Sequence, residues 1–365
     1  MIPIFDTYIS ARAKNNVLDC LQSGWISSQG KYVLEFEKNL SKYFKMKYCL
    51  ATSNCTTALH LSILSLDLKK SDEIICPALS FIAPANMILL SGAKLVLVDI
   101  DPETLTIDPK ELEKVITKKT KAILVVHQFG HAAHMDEIIK LSKKYKLKII
   151  EDNAESIGGK YKNKLLGTLG DVSTLSFFAN KIITTGEGGA ILTNSKKKYL
   201  MMKEMRDHGM KYNEKYNHVR MGFNYRMTNM QAAIGCDQIN NLNKILKKRK
   251  KIEKTYYENL KDFKHIELRQ FKTWCSPVNW LITIKFKKEG LRNKFIKYLK
   301  DFKIDSRQMI NPINEAYHIK DLINKKFKVS KKISNNSVHL PSGLNLNKNQ
   351  INKICKIVKL FFKED

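Results

Sequence analysis

The chain has 365 residues, of which 43% are hydrophobic and 27% charged, values typical of an ordinary globular protein with a buried core. Its formal net charge of +29 allows nucleic acid, an acidic membrane surface or negatively charged small substrates as partners. The basic runs 196–198 and 247–251 are short and lack the interleaved aromatic side chains of a single-strand binding groove. We therefore expect no nucleic-acid partner, and we interpret the charge as a Lys-rich surface.

The seven cysteines are scattered and form no CxxC pair, which argues against a disulfide framework or a zinc site and favours a reducing cytoplasm. The N-terminal sequence MIPIFDTYIS lacks the basic start and the apolar run of a signal peptide. The stretch Ile74–Ala93 has no charged residue and is about as long as a bilayer span, but it contains Pro77 and Pro84. We interpret it as a strand, a loop and a buried helix, and expect no membrane span.

Short apolar runs alternate with amphipathic segments between residues 55 and 193. The predicted strands are Glu73–Cys76, Lys94–Val98, Ala122–Val126, Leu147–Ile150, Val172–Phe177 and Gly189–Thr193. The predicted helices are Cys55–Leu66, Phe81–Leu90, Pro109–Ile116 and Met135–Tyr145. This alternation predicts an α/β fold with a mostly parallel sheet between helices. In such sheets ligands bind beyond the carboxyl ends of the strands, so we expect chemistry in the loops that follow them.

The character of the sequence changes after Thr228. A long helical pattern, Asn229–Tyr257, is followed by a smaller α+β pattern without internal repeats or flexible linkers. The predicted elements of this pattern are strand Trp280–Phe286, helix Leu291–Lys300, strand Lys303–Arg307 and helix Lys348–Phe362. We predict a large domain over residues 1–250 and a small C-terminal α+β domain over residues 251–365.

The segment SFFANKIITTGEGG, residues 176–189, connects two predicted strands and therefore places Lys181 in a loop. A lysine in a partly desolvated pocket is a competent amine nucleophile toward an aldehyde, whereas a solvated surface lysine is the alternative in so basic a chain. The glycines Gly186, Gly188 and Gly189 match neither GxGxxG nor a P-loop. We interpret them as positions where the backbone passes close to a ligand.

Polar residues stand at two further points where chemistry is expected. Glu151 and Asp152 follow the predicted strand Leu147–Ile150, where a carboxylate can keep a pyridine nitrogen protonated, although acids there are as often helix N-terminal residues. The hydroxyl residues of TSNCTTA, residues 52–58, open the first predicted helix. Free backbone amides at such a start favour an anion such as phosphate, but the same residues also serve as ordinary N-caps.

The order and separation of these segments resemble those of the DegT-type sugar-nucleotide aminotransferases, a branch of the fold type I pyridoxal-phosphate (PLP) enzymes. The resemblance covers nearly the whole chain. It runs through SGWISSQG (23–30), DEIICP (72–77), Ser80-Phe81, residues 130–136, EDNAES (151–156), NKIITTGEGG (180–189), GFNYRMTN (222–229) and IDSR (304–307). The segment NKIITTGEGG is the most specific and is most similar to the sugar C4 aminotransferases. The resemblance implies the fold type I architecture for both predicted domains.

The resemblance also implies roles for residues at the cofactor ring. Lys181 is expected to be the Schiff-base lysine and the group that moves the proton between cofactor and sugar carbons. Asp152 is expected at the pyridine nitrogen, and Glu155 beside the ring hydroxyl, where many relatives have Gln. Phe81 is expected to stack on the ring face.

Further roles concern the phosphate and the sugar. The residues expected to hold the phosphate are Thr56, Thr57 and Ser176. Asn224 is expected to reach the phosphate bound by the neighbouring subunit, so that the active site belongs to a homodimer. Ser28 and Arg226 are expected near the nucleotide-linked sugar, and no metal is expected.

Three positions bear on how far the resemblance holds. Cys55 stands where relatives often have Gly or Ser, which leaves a thiol near the cofactor. His131 replaces a smaller or polar residue, and we expect no catalytic role for it. PLP-dependent dehydratases of the same fold have His in place of the Schiff-base lysine, so Lys181 argues against that branch.

The function that the resemblance implies is transfer of an amino group from glutamate to C4 of a nucleotide-linked 4-keto-6-deoxy sugar in the cytoplasm, with overall similarity favouring GDP. A UDP-linked 4-keto sugar or a 3-keto sugar is the alternative acceptor. Residues that select the nucleotide are expected near Asp305–Tyr317 and in the GWISSQG loop. An alternative of another class is a non-catalytic basic protein on the same fold, whose affinity for DNA falls steeply with salt. The intact set of Lys181, Asp152 and Ser176 argues against it.

Overall fold

The computed structural model of the protein describes residues 1–363, which contain twelve helices and fourteen strands. The helices are α1 Ala11–Ser23, α2 Lys31–Phe44, α3 Cys55–Leu64, α4 Ala83–Leu90, α5 Pro109–Val115, α6 Met135–Tyr145, α7 Lys196–Arg206, α8 Asn229–Asn240, α9 Leu242–Leu260, α10 Arg292–Asp301, α11 Lys328–Asn336 and α12 Lys348–Phe361. The strands are β1 Tyr48–Thr52, β2 Glu73–Pro77, β3 Lys94–Val98, β4 Thr120–Val126, β5 Lys148–Asp152, β6 Lys160–Tyr161, β7 Lys164–Leu165, β8 Val172–Ser176, β9 Gly189–Thr193, β10 Ile266–Leu268, β11 Cys275–Ser276, β12 Ile282–Phe286, β13 Arg307–Gln308 and β14 Ser337–Leu340.

A seven-stranded sheet in the order β1-β9-β8-β5-β4-β2-β3 organises the first two thirds of the chain. Strand β9 runs antiparallel to both of its neighbours, and the remaining neighbours pair in parallel. Alternate residues of β2 enter two different cores, because Ile74 and Cys76 pack with α3 and α4 while Ile75 packs with α5 and α6. Helices on both faces bury most residues of the strands, which explains their largely apolar sequences. The predicted α/β fold with a mostly parallel sheet is confirmed.

The second sheet has four antiparallel strands in the order β10-β12-β14-β13. It packs with α9, α10 and α12 around one core that includes Tyr256, Phe286 and Phe295. A third, three-stranded sheet has the order β11-β6-β7. Helix α9 extends across position 250, the predicted domain boundary, so that boundary stays a prediction. Residues 364 and 365, at the end of the predicted small domain, lie outside the described residues.

Most predicted bounds differ from the observed ones by one or two residues, and two predicted elements differ more. The helical pattern Asn229–Tyr257 is divided into α8 and α9 at Asn241, whose side-chain amide donates to the carbonyl of Asp237 at 3.0 Å and so ends α8. The predicted strand Lys303–Arg307 shares one residue, Arg307, with β13, because Lys303 takes a left-handed φ of 57° where the chain leaves α10. In contrast, β3, β9 and α6 have the predicted bounds.

The uncharged stretch Ile74–Ala93 forms β2, a loop and α4, as interpreted from its prolines. Its helix is short and begins with Pro84 in the first turn, where a missing backbone N–H costs nothing. Within residues 1–363, no helix combines the length and the apolar character that crossing a membrane requires.

Candidate active site

A cavity of about 720 Å³ opens at the carboxyl ends of β4, β5 and β8. Val126, Asp152 and Ser176 are the last residues of these three strands, and each lines the cavity. The start of α3 forms another wall of the cavity. Residues of the four-stranded sheet and of the segment that leads into β12 close the far side. Parallel strands thus bring together residues that are far apart in sequence, as expected for a doubly covered sheet.

Lys181 lies in the loop between β8 and β9, and its side chain is 13% exposed. The Nζ atom is 3.6 Å from Oε1 of Glu155 and 3.9 Å from the centre of the Trp280 ring. The amine is therefore held inside the cavity between a carboxylate and an aromatic face. This is the partly desolvated loop position that the sequence predicts.

Asp152 and Glu155 both present carboxylates to the cavity. Oδ1 of Asp152 accepts a hydrogen bond from the backbone N–H of Ala154 at 3.0 Å, and burial raises the pKa of this carboxyl to about 6. The Glu155 carboxylate contributes to the same upward shift, whereas the Lys181 ammonium opposes it. The ionised form of Asp152 is thus buried with too little positive charge nearby to stabilise it.

The orientation of Glu155 is fixed by an unusual backbone conformation. Its Oε2 accepts a hydrogen bond from the N–H of Phe129 at 2.7 Å. Phe129 has φ 51° and ψ 32°, in the left-handed region, and Gly130 follows with φ 83°. A Cβ at Gly130 would lie 1.6 Å from the carbonyl oxygen of Val278, so glycine is required for this loop to approach the second part of the chain.

Glu151, the neighbour of Asp152, points away from the cavity and supports the sheet. The backbone amides that donate to its carboxylate are those of Gly167, Leu169 and Gly170, at 2.9, 2.6 and 2.6 Å. His127 lies 2.9 Å away through Nε2, and its Nδ1 accepts from the N–H of Ala133, so Nε2 carries the proton that Glu151 accepts. Of the two adjacent acids, one is therefore structural and the other faces the site.

Replacing Glu151 with Ala is expected to lower the free energy of unfolding by about 3–5 kcal/mol, because the buried amide of Gly167, two part-buried amides and the buried His127 ring lose their acceptor. Urea unfolding followed by circular dichroism measures this change. Glu113→Ala is the matched control, since Glu113 binds Lys144 at the surface and its removal is expected to cost at most about 1 kcal/mol. Equal losses in the two variants would contradict the structural role of Glu151.

The N-terminus of α3 forms the wall nearest to β8 and β9. Asn54 caps the helix by accepting from the N–H of Thr57 at 2.9 Å, and Thr57 completes a capping box. Thr56, Thr57 and Ser176 all line the cavity beside this helix start. A Cβ at Gly189 would lie 2.5 Å from the carbonyl of Asn54, so glycine allows β9 to pass behind the helix end. Backbone amides and three hydroxyls consequently converge on one anion-accepting corner.

The remaining predicted site residues fall into two groups. Phe81 lines the cavity with a side chain that is 60% exposed. Ser28, Asn224 and Arg226 do not line it. Asn224 is exposed and accepts from Nε of Arg226 at 3.0 Å, while Arg226 pairs with Asp207 at 2.9 Å. The expected roles of Ser28, Asn224 and Arg226 stay predictions.

The positions that depart from the family pattern have different surroundings. Cys55 lines the cavity, and burial raises the pKa of its thiol, so the neutral thiol predominates. His131 is buried, with its ring 5.6 Å from that of Phe271, and does not line the cavity. Burial lowers the pKa of His131 to about 3, so its ring is neutral.

Sequence reasoning missed the residues that the second part of the chain contributes. Trp280, Arg307 and His339 line the cavity together with Lys181. Arg307 falls within Asp305–Tyr317, where nucleotide-selecting residues are expected, but the sequence assigns it no contact. The aromatic character of Trp280 gives no functional signal within an apolar strand pattern. His339 is buried beside the Phe129 ring at 4.8 Å, and burial lowers its pKa to about 3.

The sequence profile of the DegT/DnrJ/EryC1/StrS aminotransferase family matches residues 7–359. The chain belongs to this family. GDP-perosamine synthase from Escherichia coli O157:H7 is 35% identical to the present chain over 366 aligned residues, which cover 100% of this chain and 99% of the relative. The predicted family membership is confirmed.

Solved structures of similar proteins confirm the predicted fold type I architecture. PseC from Helicobacter pylori, an aminotransferase involved in pseudoaminic acid biosynthesis, superposes with a TM-score of 0.94 at 29% identity over all of both chains. The PLP form of the sugar aminotransferase Spr1654 from Streptococcus pneumoniae superposes with a TM-score of 0.93 at 25% identity, covering 100% of this chain and 99% of that one. This DegT-family protein is a PLP-dependent sugar aminotransferase, as predicted.

The residues at the cavity fit PLP. Asp152 is a buried carboxylate that forms no ion pair among residues 1–363, and a protonated ring nitrogen would supply the charge that it lacks. Lys181 supplies an amine, and the start of α3 with its neighbouring hydroxyls supplies donors for a phosphate. When bound, PLP provides an electron sink for the carbon from which a proton is removed.

Proposed function

We propose that this aminotransferase moves an amino group from glutamate to C4 of a GDP-linked 4-keto-6-deoxy sugar. The observation that carries the proposal is the 35% identity to GDP-perosamine synthase over the full length of both chains. The segment NKIITTGEGG, with its likeness to C4 aminotransferases, supports the position of transfer. A UDP-linked 4-keto sugar and a 3-keto sugar are the alternative acceptors.

Lys181 is the catalytic residue in this proposal. Its Nζ lies inside the cavity, 3.6 Å from the Glu155 carboxylate, where an amine can hold PLP and move a proton between reacting carbons. Asp152 faces the ring nitrogen and keeps it protonated, and Glu155 lies beside the ring hydroxyl. Phe81 covers the ring from the open side of the cavity, where its side chain is exposed.

Thr56, Thr57 and Ser176 hold the phosphate together with the amides at the start of α3. The convergence of these groups at one corner of the cavity supports this assignment. Fixing the phosphate there orients the cofactor at the carboxyl ends of the strands, so that small movements of Lys181 serve both halves of the reaction. Ping-pong chemistry of this kind divides one difficult exchange into two easier steps.

Arg307 is the cation available to anionic substrates. It and Lys181 are the two positively charged side chains among the cavity-lining residues, and Arg307 is exposed. Glutamate and a nucleotide-linked sugar both carry negative charge, which the formal charge of +29 attracts toward the protein. Ser28 and Arg226 complete the sugar-nucleotide site in this proposal.

The working unit is a homodimer in which Asn224 reaches the phosphate of the neighbouring subunit. The segment that precedes Asn224 carries large apolar side chains that are exposed to solvent, with Tyr216 84% exposed and Met221 83% exposed. Exposed apolar surface of this kind is typical of protein interfaces and supports self-association. Because Asn224 is itself exposed, it is free to contact a second subunit.

The reaction takes place in the cytoplasm in this proposal. All seven cysteines are free thiols, and six of them are buried. Free thiols are the state that a reducing compartment maintains, which supports this location.

The absorbance spectrum of the purified protein tests the function. We expect a visible band after addition of PLP, bleaching of that band by glutamate, and its recovery when a GDP-linked 4-keto-6-deoxy sugar accepts the amino group. The UDP-linked 4-keto sugar and a 3-keto sugar are offered in parallel samples. Recovery only with one of these would overturn the GDP and C4 assignments while leaving the aminotransferase in place. A protein that takes up no PLP would overturn the proposal as a whole.

A further inference from the structure

Trp280 makes two separate contacts with the loop that carries Lys181. Its indole Nε1–H donates a hydrogen bond of 2.5 Å to the carbonyl oxygen of Asn180, the residue immediately before Lys181. The face of its ring lies 3.9 Å from Nζ of Lys181 itself. One side chain, 100 residues further along the chain, therefore contacts both the backbone and the amine of this loop.

The surroundings of the Lys181 amine give the ring contact its importance. With Glu155 at 3.6 Å on one side, the Trp280 ring supplies a further favourable contact for a positive charge in the cavity, which the buried Asp152 carboxylate also lines. A cation over a tryptophan face is stabilised most strongly when, as here, both partners are withdrawn from water. The free ammonium is thus held at one point of the cavity rather than left to sample many rotamers.

Trp280 is in turn held from behind by a buried arginine. Nη1 of Arg249 donates to the carbonyl oxygen of Trp280 at 3.1 Å, and the hydroxyl of Ser342 donates to the same oxygen at 3.3 Å. Arg249 is 3% exposed, and no residue within the described part of the chain accepts from its Nε or Nη2. Burying a guanidinium costs free energy, and the one hydrogen bond that this guanidinium makes within the described residues goes to the carbonyl of Trp280. This arrangement indicates that the backbone at Trp280 is held firmly in place.

We propose that Trp280 is a positioning residue for Lys181: its indole N–H fixes the loop through Asn180, and its ring holds the free amine in place. The inference rests on the proposed role of Lys181 and extends it to the states in which that amine carries no cofactor. In those states an amine held at one point meets an incoming cofactor in a productive orientation more often than a mobile one.

The test follows the rate at which cofactor-free protein, mixed with PLP, develops its visible band. Replacing Trp280 with Leu removes the ring face and the N–H, and we expect the band to form about tenfold more slowly, because the loop and the amine lose the contacts that orient them for the incoming cofactor. Trp280→Phe keeps an aromatic face but removes the N–H and the second ring of the indole, so we expect its rate to fall between those of Trp280→Leu and the wild type. Visible circular dichroism reports the orientation of the bound cofactor in each variant.

The matched control is Trp274→Leu, which removes a half-buried indole that packs on His134 and Tyr161 and does not line the cavity. It is expected to lower the melting temperature but to keep the wild-type rate of band formation. If Trp280→Leu and Trp280→Phe also keep that rate, Trp280 only fills space and the inference fails. If Trp280→Leu does not fold, the Phe variant decides alone. A wild-type protein that forms no band would instead refute the proposed function.

Discussion

Replacing Lys181 with Ala is expected to lower the rate of amino transfer by at least about a thousandfold, while PLP still enters the cavity. The variant removes the amine that lies between Glu155 and Trp280, and no other lysine lines the cavity. The phosphate corner at α3 is unchanged, so non-covalent uptake of PLP is retained. Initial rates with glutamate and the keto-sugar, together with the absorbance of bound cofactor, measure the two effects separately.

Lys140→Ala serves as the control, because Lys140 is exposed on α6 and does not line the cavity. It is expected to keep wild-type rates and a wild-type visible band. Turnover by Lys181→Ala within tenfold of the wild type would remove Lys181 from its catalytic role. Loss of PLP uptake by Lys181→Ala would instead show that the phosphate corner binds too weakly without the amine.

The large sheet was predictable because burial on both faces leaves a simple pattern in the sequence. Strand β4 is apolar from Ala122 to Val126, and the acids at the end of β5 stand out against the apolar residues before them. Sequence reasoning thus predicted the cavity wall that includes Asp152, Ser176 and Lys181. It missed β1, Tyr48–Thr52, which pairs with the antiparallel strand β9 and whose apolar run of three residues is too short to mark a strand by itself.

The opposite wall of the cavity was not predictable in the same way. Trp280 and Arg307 line the cavity with Lys181 because the four-stranded sheet packs against the open end of the large one, a relation between segments more than 90 residues apart. Neither residue differs in type from many that only fill space or face water. Likewise, the pattern of two acids after a strand does not by itself say which one faces the cavity. The resemblance names Asp152, and the amides of Gly167, Leu169 and Gly170 hold Glu151 on the other side.

Replacing Asp152 with Asn is expected to have opposite effects on stability and on catalysis. Burial raises the pKa of Asp152 from 3.8 to about 6, so the folded, cofactor-free protein binds a proton that the unfolded chain releases as the pH rises from about 4 to about 6. The contribution of this carboxyl to stability is therefore complete below pH 4 and is lost as the pH passes 6. At about 1.4 kcal/mol per pKa unit, ionising Asp152 costs the cofactor-free protein about 3 kcal/mol at pH 7.

Since Asn carries no charge at any pH, cofactor-free Asp152→Asn is expected to be more stable than the wild type at pH 7, by up to about 3 kcal/mol, and to lose this advantage at pH 4. Denaturant unfolding at the two pH values measures the difference, with exposed Asp262→Asn as a control that is expected to shift neither value. An advantage of equal size at both pH values would contradict the titration of Asp152 as its cause.

With PLP bound, the same substitution is expected to lower the rate of amino transfer by at least about a hundredfold, because a neutral amide cannot keep the ring nitrogen protonated. Rates of the glutamate half-reaction, followed by bleaching of the visible band, measure this loss. The two outcomes belong together: the uncompensated charge that destabilises the empty cavity at pH 7 is the charge that a protonated cofactor nitrogen neutralises. If the Asp152→Asn variant were more stable at pH 7 and as active as the wild type, the two effects would have different causes. Asp152 would then not be the partner of the ring nitrogen.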